Sequence, residues 1–188
     1  MMASVRTVPT SAAPSRTVRG RLRSLAVLEL VNIPLQGGVW FGLVGLPATV
    51  PNLVGFGAFA LLLLQGGAYW IAKLHQIRVR RPHIAGVAAF RAARIVNPLL
   101  LAAGLVVTGF AAATDPGRNS WPGLAFALFA VLEHVNYFHV QLMHDTRADL
   151  RRLRSHGLRT SHLARDIAPD ENHAGRSDVR RGGVRGAC

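Results

Sequence analysis

Glu29, Asn32 and Gln36 recur at i, i+3 and i+7 inside an otherwise apolar run. Gln65, Tyr69, Lys73 and Gln76 follow helical spacing in "QGGAYWIAKLHQ". Glu133, Asn136, Tyr137, Gln141 and His144 do so in "EHVNYFHVQLMH", and Asn97 stands alone in "VNP". At ~3.6 residues per turn each set occupies one broad stripe of a helix. Carboxyl, amide and phenol groups donate and accept hydrogen bonds, so such a layer suits a proton relay or the coordination of a polar ligand. Glu29 and Glu133 are its ionisable centres. Lys73 is the natural counter-charge for Glu29, whereas Glu133 has only His134 and His144 for company. The competing reading is structural: the same groups bond across helices as glue, at about 0.6 kcal/mol apiece.

Metal chemistry has less to stand on. His134, His139 and His144 lie five residues apart, a rotation of ~140° per step, so one helix cannot present them together. His75 and His144 end spans that run in the same direction and are the best candidates for a shared ion or a haem, which would make the chain a membrane redox component. Without a third ligand the sequence assigns no metal, and the cofactor is unknown. There is no HExxH, no CxxC and no nucleophile elbow, so a hydrolase or zinc-peptidase reading has nothing to stand on, and a carrier component is expected over an enzyme. Cys188, the one cysteine, has no partner for an internal disulfide.

What holds these stripes is legible from hydropathy. The chain has 188 residues, half of them hydrophobic, with a formal net charge of +13. Four stretches, about 24–46, 52–74, 95–114 and 122–144, are nearly free of charge. Each meets the ~20 residues that a helix needs to cross a bilayer core. A soluble bundle would show polar faces along every helix, and "LVGFGAFALLLL" has none. The fold class is therefore an all-α integral membrane protein, a four-transmembrane-helix bundle spanning 24–145. Residues 1–23 read as a disordered basic segment, and 146–188 as a basic tail that is disordered from about 168.

Charge sets the orientation. Arg6, Arg16, Arg19, Arg21 and Arg23 precede the first span, six basic residues surround the second connection and ten Arg follow the fourth span. Only Arg118 falls on the other side. Both termini are then cytoplasmic in a multi-pass protein of the cell membrane. The basic surplus is explained by this topology and by anionic headgroups of the cytoplasmic leaflet, so no nucleic acid is expected. The Arg bias over Lys fits a GC-rich bacterial source, and residues 1–46 read as a retained anchor rather than a cleaved signal.

Counted from the cytoplasmic ends, the polar residues fill the inner and middle levels and leave Gly, Ala, Leu, Val and Phe outside. Gly38 and Gly42 suit close helix packing in that outer half. Pro34 and Pro98 free the carbonyls of Leu30 and Arg94 at the level of the polar layer. Tyr69 and Tyr137, and likewise Asn32 and Asn97, sit at similar offsets, as a duplicated helical hairpin would produce. Taken together, the sequence favours a cytoplasm-facing intramembrane pocket in a small-molecule or proton-linked carrier component or sensor, open to homo-oligomer formation. The alternative is a non-catalytic scaffold whose tail binds anionic lipid or a partner protein.

Overall fold

The computed structural model describes residues 16–140 and 160–168. Every regular element among them is helical. Helix α1 (Arg16–Gly37) runs on into a π-helical turn (Gly38–Leu43), followed by α2 (Val50–Val79), α3 (Val87–Thr114), α4 (Trp121–Phe138) and a short α5 (His162–Asp166). An isolated antiparallel bridge joins Val140 to Thr160.

Three helices are long and apolar enough to cross a membrane: Val18–Leu43 with 26 residues, α2 with 30 and α3 with 28. Helix α4 has 18 residues. It stops at Phe138 rather than running on to 144. There His139 and Val140 both donate to the carbonyl of Val135, the wider closure leads out of the helix, and Val140 pairs with Thr160. Gln141 and His144 lie outside the described residues. At the connection of α2 to α3, the bundle end expected inside from the charge pattern (the inner end, opposite the outer one), Pro82 opens no separate helix. Left-handed Arg80 (φ 54°) ends α2, Gln76 Nε2 donates to the Pro82 carbonyl at 2.9 Å, and α3 begins at Val87.

Helix α2 is the centre of the bundle, packed chiefly on α4 and α1, and α4 also packs on α3. Glycine makes the closest crossing possible. A methyl built on Gly55 would lie 1.9 Å from the Gly123 carbonyl oxygen, and one on Gly123 would lie 2.3 Å from that of Pro51. Backbone meets backbone there, which lets the two helices gain close dispersion contacts. Gly38 and Gly42 do not play this part, since a methyl on either meets nothing within 4 Å. The π turn takes them off the α-helical register on which the expectation rested.

The outer half is filled by rings meeting edge to face: Trp40 with Phe126 at 5.7 Å, Phe56 with Phe126 at 5.5 Å and Phe59 with Phe129 at 5.7 Å. The two outer turns are locked to each other. Asn52, fully buried, donates from Nδ2 to the carbonyls of Pro47 and Arg118, each at 2.9 Å, and accepts from the Gly123 amide at 2.9 Å. Arg118, the lone outer arginine, donates to the carbonyls of Val44 and Gly45 at 2.8 and 3.2 Å, where the π turn unwinds. With its outer end fixed in this way, the bundle places its polar groups at the inner half.

Candidate functional site

The polar residues assemble around α2 as three groups. Tyr137, 7% exposed, donates its hydroxyl to Glu29 Oε1, joining α4 to α1. These helices reach one another over Gly66 of α2, where an added methyl would lie 2.4 Å from the Tyr137 hydroxyl oxygen. Glu133 bonds to Asn136 one turn along α4 and lies near enough to Glu29 and Tyr137 to interact with both electrostatically. Two half-buried carboxyl groups thus lie near one phenol, which bonds to Glu29. Tyr137 can both donate and accept, whereas a carboxyl donates only while protonated and otherwise accepts.

The second group is an amide pair. Asn97 Nδ2 donates to Gln65 Oε1 at 2.6 Å, and Gln65 Nε2 returns a bond to Asn97 Oδ1 at 3.2 Å. Asn97 is 2% exposed and directly precedes Pro98, so the pair fastens α3 to α2 at the proline. Reciprocal amide bonds satisfy both groups in a layer where an unmet donor is costly.

The third group lies at the inner end. Lys73 Nζ meets both oxygens of Asp166 at 2.8 Å, and the Tyr69 hydroxyl donates to Asp166 Oδ2 at 2.7 Å. Lys73 therefore pairs with α5 and not with Glu29. A compact ammonium on a long stem turns to a carboxylate at its own level, and Glu29 is already held by Tyr137. The backbone follows suit: Arg91 Nε donates to the Ile167 carbonyl at 2.9 Å and its Nη2 to that of Ala168 at 3.4 Å. Ser161 caps α5 by accepting from the Ala164 amide at 3.1 Å, and its hydroxyl donates to the Tyr137 carbonyl near the end of α4. Those last helical carbonyls have no partner within α4 itself. Leu163 and Ile167, each 2% exposed, join the core beside Phe90 and Ile84. Residues 160–168, part of what the sequence assigns to a basic tail, lie against the bundle.

The remaining predicted positions are less engaged. Asn32 is half-buried on α1, and Gln36 accepts from Trp40 Nε1 of the adjoining π turn at 3.1 Å. His75 is exposed at the inner end of α2. Among the described residues no group of three or more His, Cys, Asp or Glu could hold a metal ion.

The five-residue interval does not keep His134 and His139 apart. Their rings lie 5.5 Å apart because α4 ends between them, which releases His139 from the helical rotation. His134, 5% exposed, stacks on Phe138 at 4.8 Å, and neither ring nitrogen has a hydrogen-bond partner among the described residues.

Sequence reasoning missed Asp166 and Asn52. Asp166 is an acid amid ten tail arginines and Asn52 a polar residue at a turn, and neither carries a periodic signal. No family model, curated protein or solved structure matches the chain.

Proposed function

We propose that the chain is an integral protein of the cell membrane, with four spans and both termini in the cytoplasm. Its inner polar layer takes up a proton or a small polar ligand from the cytoplasmic side, as a component of a carrier or as a sensor. The observation that carries this reading is the Glu29–Tyr137–Glu133 group. Carboxyl groups at membrane depth are costly, and α1 and α4, meeting over Gly66 of α2, bring these two near one phenol. Helix α4, at 18 residues, rises ~27 Å and so can serve as a short fourth span. The excess of arginine at one end of the bundle supports the orientation. Reporter fusions at Arg118 and at the C-terminus are expected to report opposite sides, and the same side for both would end this topology.

The functional test uses protein reconstituted in liposomes with a pH-sensitive dye inside. Glu133→Gln mimics the protonated acid and keeps the hydrogen bonds. It is expected to leave the fold intact and abolish any pH-dependent proton movement or ligand response. Glu133→Ala additionally lowers stability, since it leaves Asn136 without its carboxyl partner. If both substitutions leave stability and response at wild-type levels, Glu133 is neither site nor glue and the reading fails.

A further inference from the structure

Between the inner ends of α1 and α2 runs an open groove of about 590 Å³. Its upper wall is basic: Arg19 and Arg23, one turn apart on α1, face His75 and Arg78 of α2. Its lower wall is Ile71 and Leu74, and Ile71 is 50% exposed. No acidic residue lines it, and the three arginines are exposed, with no ion pair or hydrogen bond to the described residues. Three arginines lining one groove without an acid concentrate positive charge there, which an anion would offset.

We infer that this groove is a binding site for one anionic phospholipid of the cytoplasmic leaflet, phosphate on the arginines and acyl chain along Ile71 and Leu74. The inference rests on the membrane reading above and gives its lipid partner an address. The order of the residues carries it. Going from α2's end toward the bundle middle, the wall changes from Arg78 and His75 to Leu74 and Ile71, as a lipid changes from headgroup to chain. Arg19 and Arg23 stand at the same end because α1 starts where α2 finishes. Guanidinium forks bind phosphate oxygens bidentately, so several of them on one groove suit a phosphate better than diffuse charge does. A free phosphate would satisfy the upper wall and leave the apolar lower wall empty.

The test is native mass spectrometry of the full-length protein in a neutral detergent doped with equal POPG and POPC. The wild type is expected to retain one POPG in preference to POPC. In Arg19→Gln/Arg78→Gln the affinity for POPG should fall about 25-fold, taking about fivefold for each arginine. Arg80→Gln/Arg81→Gln removes the same charge from exposed positions outside the groove and should retain POPG. Equal losses in the two doubles would overturn the site in favour of diffuse attraction. Displacement of POPG by millimolar inorganic phosphate would overturn the lipid in favour of a free-anion site. The membrane reading has its own control: release of the wild type from membranes by alkaline carbonate would refute it, whatever the lipid assay gives.

Discussion

Asp166→Asn isolates what holds residues 160–168 to the bundle. Asp166 receives two contacts from Lys73 and one from Tyr69. The ion pair is about one-quarter exposed on each side (24% and 22%), so solvent screens it only in part. Asparagine preserves shape and one acceptor oxygen but removes the charge. A hydrogen bond to a charged group contributes ~1.5–3 kcal/mol against ~0.5–1.5 for a neutral one. Discounted for the exposed fraction, the substitution should weaken docking by about 2 kcal/mol, roughly 30-fold in the docking equilibrium.

Amide hydrogen exchange reads this directly, because the Ala164, Arg165 and Ile167 amides are all bonded within the docked segment. Their exchange should quicken by about 30-fold while that of Leu62 and Leu63 in the middle of α2 stays unchanged. Adding Lys73→Met to Asp166→Asn should cost little more, since either change already breaks the pair. Wild-type exchange at the three amides would show that Leu163 and Ile167 hold the segment without the ion pair, and would refute the reasoning.

The junction of α2 and α4 gives two sharper stability predictions. Asn52→Ala deletes the three hydrogen bonds of a buried side chain and leaves the Gly123 amide unpaired, a loss of about 3 kcal/mol that should lower the unfolding temperature in detergent. Unchanged unfolding would mean that the outer turns are held without the asparagine. Gly123→Ala drives a methyl to 2.3 Å from the backbone of Pro51, which no side-chain rotation relieves, so size-exclusion chromatography should show aggregated protein. Gly57→Ala is the control, since a methyl there meets nothing within 4 Å, and it should elute as the wild type does.

Some of this protein is written locally in the chain. Three membrane-length apolar helices follow from runs such as "LVVTGFAAA", because hydropathy summed over ~20 residues needs no partner to be meaningful. The membership of the polar stripes is local too, since 3.6-residue periodicity assigns Glu29, Gln65, Tyr69 and Glu133 to helix faces before any packing is known. That Tyr137 meets Glu29 and Asn97 meets Gln65 is consistent with faces turned toward one another.

The pairings themselves belong to the tertiary structure. Lys73 has Glu29 and Asp166 as acids within conceivable reach, and periodicity cannot choose between them. The choice is made when Leu163 and Ile167 enter the core and carry Asp166 to the inner end of α2, across 93 residues of sequence. Tyr137 reaches Glu29 only because α2 offers no side chain at Gly66, a matter of which helices cross and at what height. Asn52 reads as an ordinary turn residue until backbone contact between Gly55 and Gly123 brings the Gly123 amide to its side chain. Likewise His134 and His139 meet because α4 ends at Phe138, and that end depends on a bridge to Thr160 formed by distant chain. Periodicity assigns a residue to a face, but its partner depends on the register between helices, which close packing at a few glycines and one docked segment decide.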